Sequence, residues 1–217
     1  MTQLFRIAAG ARGLLPPGVF RSLRSGGLVV FPTDTLYGLG ADPGSAAALE
    51  ALFSLKGREE GKPVPLLLDS AERAWAFAAE VPEAARRLME RFWPGALTIV
   101  LPASPRLLPA VAGPGRTVGL RVPDHPVPRA LAKALGGAVT GTSANRSGSP
   151  ARWQEPEAIA REFAGRVEWI LWDGPSPAGR EGGGPGSTVV SVENDRLCLL
   201  REGEIPFRSI TDHQPKG

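Results

Sequence analysis

Short apolar runs rich in β-branched residues alternate with helix-like segments along most of the chain, and this alternation restricts the fold more than any other feature. The runs at 28–32, 64–69 and 96–101 have the length and composition of buried strands. Between the first two, Ser45 can cap an amphipathic helix over 46–56. Strands and helices in this order predict an α/β domain.

The remaining segments continue the pattern and end in two adjacent strands. These strands, at 187–193 and 196–202, are separated only by Asn194 and Asp195, which predicts an antiparallel pair. Early alternation and a late hairpin together predict a mixed sheet with flanking helices. The other predicted helices are 16–26, 71–79 with Ser70 as its cap, a segment opened by Pro82, 126–135 and 155–164; the other strands are 117–123, 138–142 and 167–173; and 33–44 is predicted as a glycine-punctuated loop.

The composition is that of an ordinary globular protein and excludes several kinds of site. The 217 residues suffice for one large domain, and no repeat or long polar linker divides them. A net charge of +3 permits an anionic ligand or RNA but requires neither. A single cysteine, Cys198, excludes an internal disulfide and a cysteine-rich zinc site, and we expect it to be a buried, inert thiol. No apolar run is long enough for a bilayer and no signal-peptide layout begins the chain, so a cytoplasmic protein without membrane contacts is expected.

A cluster of basic residues lies on turn-forming glycines and a proline in SLKGREEGKP, at 54–63. It differs from a phosphate-binding P-loop, because its two glycines enclose three residues and a proline follows Lys62. Lys56, Arg58 and Lys62 could therefore grip a triphosphate or another polyanion mainly through their side chains. Taken alone, these residues favour a different interpretation, in which the cations offset a helix dipole and stay solvated.

Familiar catalytic motifs are missing from the sequence. GTSAN at 141–145 lacks the second glycine of a nucleophile elbow. Of the two histidines, His125 and His213, the first lies in a predicted turn, and neither has the context of a catalytic triad. Asp34 is interpreted as a solvated surface acid, and no metal-binding motif occurs. Hydrolase and metalloenzyme activities are therefore disfavoured.

The remaining polar residues share a position at strand ends, next to small residues. Ligand sites in α/β sheets gather at such ends. A set of cations and small hydroxyls there indicates an anionic ligand with several hydroxyl groups, such as a nucleotide. The set comprises Thr33, Thr35, Lys56, Arg58, Lys62, Thr117, Arg121, Ser143, Asn145, Ser187 and Arg201.

Seven segments, taken in order, carry a family resemblance. They are FPTDTLYGLG (31–40), SLKGREEGKP (54–63), FWPGALTIVL (92–101), TVGLRVPDHP (117–126), TGTSANRSG (140–148), GSTVV (186–190) and LLREGEI (199–205). This ordered set resembles the YrdC/Sua5 family of threonylcarbamoyl-AMP synthases, in its short, single-domain form. The resemblance implies one YrdC-like domain over 1–217, with a motif core at 15–205 and a C-terminal tail at 206–217. It implies a YrdC/RibB-like fold, which is an open, twisted, mixed sheet with flanking helices and a positively charged concave cleft.

The resemblance also implies a reaction. L-threonine, bicarbonate and ATP, with Mg²⁺ accompanying the ATP and no organic cofactor, would give threonylcarbamoyl-AMP and pyrophosphate for N6-threonylcarbamoyladenosine (t6A37) in tRNA, completed by other proteins. The family's signature residues at the catalytic centre are Lys56, Arg58, Ser143 and Asn145. The implied ATP contacts are Arg58, Lys62, Thr117, Ser143, Asn145 and Arg201, and the implied threonine contacts are Thr33, Thr35, Arg121 and Ser187. No protein ligands for a metal are implied.

Two departures and two alternatives accompany the resemblance. Glu59 stands where the family often has proline, and a histidine of longer members is replaced by the apolar run 64–68. One alternative is a module of the same fold that binds double-stranded RNA or tRNA without catalysis. The other is a relative that makes a different carbamoyl adenylate. The glycine-rich loop at 174–186 is expected to close over the cleft when ATP and threonine are bound.

Overall fold

In the computed structural model of the chain, strands and helices alternate as the sequence predicts. The structure describes residues 1–8, 14–57, 63–113, 115–145, 155–163, 165–175, 185–193 and 195–211. Within these ranges the strands are β1 (Gln3–Arg6), β2 (Val29–Phe31), β3 (Gly38–Gly40), β4 (Leu66–Leu68), β5 (Leu97–Pro102), β6 (Thr117–Arg121), β7 (Ala138–Thr140), β8 (Thr142–Ser143), β9 (Trp169–Trp172), β10 (Thr188–Glu193) and β11 (Arg196–Arg201). The helices are α1 (Pro17–Arg24), α2 (Ala46–Lys56), α3 (Ala74–Phe77), α4 (Glu83–Phe92), α5 (Pro109–Ala112), α6 (Pro126–Ala134), α7 (Pro156–Phe163) and α8 (Phe207–Thr211), and Ala71–Arg73 is a 3₁₀ turn.

The strands form two open sheets of mixed direction. One has five strands in the order β1-β9-β2-β3-β8, and the other has six in the order β11-β10-β5-β6-β4-β7. Parallel pairs such as β5 with β10 occur beside antiparallel pairs such as β5 with β6. The late hairpin is present as the antiparallel pair of β10 and β11. The mixed α/β architecture is thus confirmed, with its strands divided between two sheets.

Gly141 is the point where the chain passes from the six-stranded sheet to the five-stranded sheet. It lies between β7 and β8, and a Cβ atom on it would lie 2.4 Å from Leu67 Cγ, so only glycine fits. The sheets are also linked beside it, because the Ala41 amide donates to Thr140 Oγ1 at 2.8 Å. Ser143 follows two residues later in β8 and pairs with Gly38. The crossing therefore places Ser143 in the five-stranded sheet close to its junction with the six-stranded sheet.

One apolar core cluster takes side chains from both sheets. Val30 and Leu39 of the five-stranded sheet and Leu66 and Ile99 of the six-stranded sheet belong to the same cluster of buried residues. Helix α2 contributes Leu49 and other side chains to it. This shared burial fixes the two sheets against each other and so fixes the groups at their strand ends.

The cap predicted for α2 is confirmed, whereas the one predicted for residues 71–79 is wrong. Ser45 Oγ accepts a hydrogen bond from the Ala48 amide at 3.3 Å. Ser70 makes no side-chain cap bond, and the segment divides into the 3₁₀ turn and the short α3. The helix ends because Ala78 forms an antiparallel bridge with Ala103, which draws the chain onto the sheet.

The sequence predicted residues 33–44 as a loop, which is wrong for part of this range. Residues 38–40 form β3, which pairs antiparallel with β2. The reason is the Phe31 ring, which lies against the β3 backbone. Cβ atoms on Gly38 and Gly40 would lie 2.8 Å and 2.5 Å from Phe31 ring carbons. These glycines permit a close strand–ring approach rather than a turn.

Cys198 is exposed, and its predicted burial is wrong. It lies on β11, the outer strand of the six-stranded sheet, which packs only one face on the core. Leu197 and Leu199 occupy the packed face, and Cys198 points the other way.

The sequence did not predict three of the short elements, β1, α5 and α8. Helix α8 lies at the start of the range predicted as a tail, and its Ile210 is fully buried. None of the helices among the described residues combines the length and the hydropathy needed to cross a bilayer.

Candidate functional site

A cleft of about 210 Å³ opens where strand ends from the two sheets meet. Its walls include Gly38 and Gly141, which keep the backbone close to the cavity. Six of the predicted ligand contacts line it, namely Thr33, Thr35, Arg121, Ser143, Ser187 and Arg201. Part of the predicted strand-end set thus borders one cleft, whereas Lys56, Thr117 and Asn145, which are also described, are not in its lining.

Arg121 is held at the end of β6 by three hydrogen bonds. Its Nε donates to the Gly95 carbonyl at 2.8 Å, Nη1 to Thr35 Oγ1 at 3.1 Å, and Nη2 to Asp34 Oδ1 at 2.5 Å. Only 5% of Arg121 is exposed. Since a guanidinium has five N–H groups, one on each terminal nitrogen remains for a ligand. The side chain is thus a rigid, preoriented donor.

Asp34 is not the solvated surface acid that the sequence indicated. Its carboxylate forms the ion pair with Arg121 and is only 16% exposed. The turn that carries it reverses the chain between β2 and β3, which aims Asp34 back across the cleft at β6. This reversal depends on the β3 pairing, which the sequence pattern did not indicate.

The Thr33 hydroxyl organises the loop that carries Asp34 and Thr35. Its oxygen accepts from the amides of Thr35 at 3.1 Å and Leu36 at 3.2 Å, and its proton goes to the Leu36 carbonyl at 2.5 Å. The same oxygen also lies 3.2 Å from Thr35 Oγ1, so a hydroxyl with one proton and two lone pairs is fully occupied by its own loop. Thr33 lines the cleft while holding the loop in shape.

Ser187, Thr98 and Arg201 form a second polar group in the cleft lining. The Ser187 and Thr98 hydroxyl oxygens are 2.8 Å apart. Arg201 Nη2 donates to the Ser187 carbonyl at 2.8 Å. Among the described residues no carboxylate pairs with Arg201, and burial, with a smaller effect of the nearby Arg121 charge, lowers the pKa of its guanidinium. Two arginines therefore face the same space.

Lys56, Ser143 and Asn145, predicted as catalytic from distant parts of the sequence, are in contact. Lys56 ends α2, where Gly57 adopts a left-handed conformation with φ of 57°. Its Nζ donates to the carbonyls of Ser143 and Asn145, both at 2.6 Å, and lies 3.2 Å from Asn145 Oδ1. The Ser143 hydroxyl donates to Asn145 Oδ1 at 2.5 Å. Only 4% of Lys56 is exposed, so its ammonium clamps this turn from inside.

Three other predicted ATP contacts are not among the described residues that line the cleft. Arg58 and Lys62 lie outside the described residues. Thr117 begins β6, at the end remote from Arg121, and is not part of the cleft lining. Strand β6 pairs in parallel with β4, and Gly119, two residues after Thr117, lies against Pro65. This part of β6 is therefore near the point where the basic segment rejoins the described chain.

Tyr37 was not predicted as a site residue, but it lines the cleft. Its hydroxyl donates to the Gly174 carbonyl at 2.7 Å and accepts from the Asp173 amide at 3.1 Å. Its ring stacks on Trp172, with the ring centroids 5.2 Å apart. Tyr37 thereby ties the cleft wall to the first residues of the glycine-rich loop, of which 176–184 lie outside the described residues. Its position in TLYGLG, beside Thr35, was the available sequence signal.

His125 caps a helix rather than lying in a plain turn. Its Nδ1 accepts from the Val127 amide at 3.2 Å, at the N-terminus of α6. Since Nδ1 is an acceptor, Nε2 carries the proton and donates to Asp173 Oδ2 at 3.1 Å. Both side chains are about 9% exposed. His125 therefore supports the residue whose amide bonds to Tyr37.

Tyr37 allows a direct spectroscopic prediction, because it is the chain's single tyrosine. Burial, which outweighs its hydrogen bond with Asp173, raises the pKa of the phenol well above its ordinary value of 10.0. We expect tyrosinate absorbance of the native protein to appear at higher pH than that of the protein in denaturant. The native phenol keeps its proton more tightly than the unfolded one, so its contribution to stability is fully present below the unfolded-state pKa. That contribution is lost as the pH rises towards the native pKa, so the free energy of unfolding should fall above a pH of about 10. Coincident titration curves in the two states would contradict this.

Comparisons with known proteins agree on one family. A family model named for Sua5, YciO and YrdC, with the description "Telomere recombination", matches residues 21–203. The threonylcarbamoyl-AMP synthase of Bacillus subtilis (strain 168) is 39% identical over 189 residues, which are 87% of this chain and 53% of that protein. The threonylcarbamoyl-AMP synthase of Thiobacillus denitrificans is 44% identical over 155 residues, which are 71% of this chain and 81% of that one. The chain thus spans about half of the first relative's length and most of the second's.

Solved structures show the same fold. Sua5 of P. abyssi, complexed with L-threonine, has a TM-score of 0.86 at 32% identity, over 97% of this chain and 60% of that one. YciO of E. coli has a TM-score of 0.82 at 26% identity, over 97% of this chain and 100% of that one. The second comparison shows that the whole of one relative has this architecture.

Proposed function

Because the chain belongs to the Sua5/YciO/YrdC family, we propose that it is an enzyme of the nucleotidyl-transferring kind, an L-threonylcarbamoyladenylate synthase. It would convert L-threonine, bicarbonate and ATP into threonylcarbamoyl-AMP and pyrophosphate. Relatives bearing the name threonylcarbamoyl-AMP synthase, and a Sua5 solved with L-threonine, support this assignment over an RNA-binding module. The observation that carries it is the cleft itself, where a rigid arginine with unused N–H groups faces a hydroxyl pair and a second arginine.

Arg121 is the group best suited to hold the carboxylate of threonine. Its three protein bonds fix the guanidinium plane, and the remaining N–H on each terminal nitrogen can form a two-pronged contact with a carboxylate. Asp34 neutralises the resting charge, so the buried arginine needs no ligand to be stable. Thr35 and Ser187 line the same space and offer hydroxyl groups to the rest of the amino acid.

The chemistry then needs positioning and charge neutralisation more than a strong base. The threonine amine and bicarbonate would give a carbamate, with the bicarbonate C–OH bond broken and water released. A carbamate oxygen would then attack the α-phosphorus of ATP and expel pyrophosphate. A carbamate is already an anionic nucleophile, so no histidine or cysteine is required. What the protein must supply is in-line geometry and donors for the spreading phosphate charge.

The nucleotide side of the site would be built from two sets of residues. Ser143 and Asn145, clamped by Lys56, form a turn at the edge of the cleft. Arg201 adds a cation without a carboxylate partner among the described residues, which supports a positively charged cleft. Arg58, Lys62 and Thr117 stay predicted ATP contacts. Mg²⁺ would enter with the ATP phosphates. The adenylate would pass to the proteins that complete t6A37 on tRNA.

The proposal is tested by measuring pyrophosphate release from ATP by the purified protein. We expect release that needs both L-threonine and bicarbonate, with threonylcarbamoyl-AMP identified by mass spectrometry. Omission of either substrate is the matched control. ATP turnover that is indifferent to threonine, or tight binding of double-stranded RNA without any turnover, would contradict the proposal.

Substrate choice gives a second test of the same site. A site that bonds the threonine hydroxyl leaves its own polar groups unpaired around valine, which has the same shape without the hydroxyl. Thr35 and Ser187 are the hydroxyl-bearing groups in question. We expect kcat/KM for threonine to exceed that for valine by a factor of roughly 100 or more, since hydrogen-bonding sites discriminate strongly against such analogues. Equal pyrophosphate release with the two amino acids would count against hydroxyl recognition.

A further inference from the structure

Thr98 is a polar residue in an otherwise apolar strand. Its neighbours on β5, Leu97 and Ile99, are fully buried in the core. Thr98 faces the other way and lines the cleft. Strand β5 lies between β10 and β6, and Ile99 is opposite Leu120, so the same register puts Thr98 opposite Arg121. Thr98 therefore occupies the floor of the cleft, between its two polar walls.

The Thr98 side chain has room for one arrangement. A Cβ atom on Gly119 would lie 3.2 Å from Thr98 Cγ2, so the absence of a side chain at Gly119 makes space for this methyl group. Pro65 packs beside the same point. With the methyl group directed there, Oγ1 is directed at Ser187, 2.8 Å away. Threonine is stiff at χ1, so this packing sets the direction of its hydroxyl.

The Ser187 hydroxyl gains its orientation from this contact. Thr98, which is only 4% exposed, makes its side-chain hydrogen bond to Ser187 and to no other described residue. On its other side, Arg201 Nη2 lies 3.4 Å from Ser187 Oγ and can only donate. One of the three bonding positions of the Ser187 oxygen faces Thr98 and another faces Arg201. The third is left for a molecule in the cleft.

We propose that Thr98 is a positioning residue for the amino-acid substrate: it holds the Ser187 hydroxyl in the orientation that meets threonine. This inference rests on the proposed function. Thr98 need not touch the substrate, because it acts through Ser187. Because β5 lies between β10 and β6, Thr98 also lies between Ser187 and Arg121, the two residues proposed to bind threonine.

Thr98→Val and Thr98→Ser test the proposal as a pair. Valine keeps the shape and removes the hydroxyl, whereas serine keeps the hydroxyl and removes the methyl group. We expect Thr98→Val to raise KM for threonine about five- to tenfold, the effect of one lost hydrogen bond, and to leave KM for ATP within about twofold of the wild type. Thr98→Ser should restore most of the threonine affinity, and thermal unfolding checks that both variants are folded.

The outcomes separate the role of Thr98 from the proposed function. An unchanged KM for threonine in Thr98→Val overturns the inference, and so does Thr98→Ser behaving as poorly as Thr98→Val, which would indicate a packing role for the methyl group. If the wild-type protein releases no threonine-dependent pyrophosphate, the proposed function fails on its own. A crystal structure of Thr98→Val then decides, because an unmoved Ser187 hydroxyl overturns the positioning role and a rotated one supports it.

Discussion

Arg121→Ala is expected to lose nearly all threonine-dependent turnover and to destabilise the fold. The substitution removes the two-pronged carboxylate contact, and charged hydrogen bonds are worth about 1.5–3 kcal/mol each. Two such bonds correspond to a fall in kcat/KM for threonine of roughly 100-fold or more. It also leaves Asp34 without its partner, and breaking a buried ion pair costs about 3–5 kcal/mol. Steady-state kinetics and urea unfolding measure the two effects separately.

Two further variants distinguish a loss of threonine binding from a general loss of stability. Arg121→Lys keeps the charge but cannot reach Gly95, Thr35 and Asp34 together, because an ammonium lacks the planar fork. It should recover part of the stability and little of the threonine affinity. Arg166→Ala removes an arginine from an exposed position away from the cleft and should change neither quantity. A wild-type KM for threonine in Arg121→Ala would contradict the role assigned to this guanidinium.

The apolar periodicity was sufficient to predict the class of fold, and the strand-end rule selected six residues that line the cleft. Strand runs such as 96–101 are buried as a unit, so their ends are where polar groups collect. The position at a strand end is therefore sufficient to select Arg121, Ser187 and Arg201 as candidate site residues. In the structure Arg121 ends β6, Ser187 directly precedes β10 and Arg201 ends β11, all in the six-stranded sheet, and the three residues line the cleft.

What the sequence pattern could not predict depends on pairing between distant residues. Gly38 and Gly40 look like turn formers, yet they sit in a strand because the Phe31 ring needs their bare backbone. The ion pair of Asp34 follows from that strand, since it sets the direction of the loop before it. Thr98 carries a weak local signal, a hydroxyl between two buried aliphatic residues. Its meaning depends on Ser187, which is far along the chain.

Lys56 is the clearest example of a contact that the local sequence could not predict. In the sequence it belongs to a basic cluster with Arg58 and Lys62, which suggests an exposed cation beside a polyanion. In the fold the last turn of α2 directs it inward, onto carbonyls that are 87 and 89 residues away in sequence. Its charge therefore serves the shape of the turn that carries Ser143 and Asn145.

Lys56→Met is expected to lower turnover, because Lys56 holds the turn that carries Ser143 and Asn145. Methionine fills a similar volume but donates no hydrogen bond, so two carbonyls lose their charged partner at about 1 kcal/mol each, the low end for half-exposed groups. Displacement of Ser143 and Asn145 by about 1 Å would lower kcat roughly 100-fold. Hydrogen exchange supplies the decisive measurement, because the amides of Ala144 and Asn145 bond within this region and should exchange faster in the variant.

The matched control for this substitution is Lys133→Met, since Lys133 also lies in the last turn of a helix but is exposed. It should leave turnover, stability and exchange at the wild-type level, because a solvated lysine at a helix end contributes only a few tenths to about 1 kcal/mol. If Lys56→Met loses activity while amide exchange at 144–145 stays slow, the lysine acts on the ligand directly and not through the turn. If both variants match the wild type, the 2.6 Å contacts of Lys56 have no part in catalysis. Because Lys56 is buried and Lys133 is exposed, we expect a lower kcat and faster amide exchange in Lys56→Met and neither change in Lys133→Met.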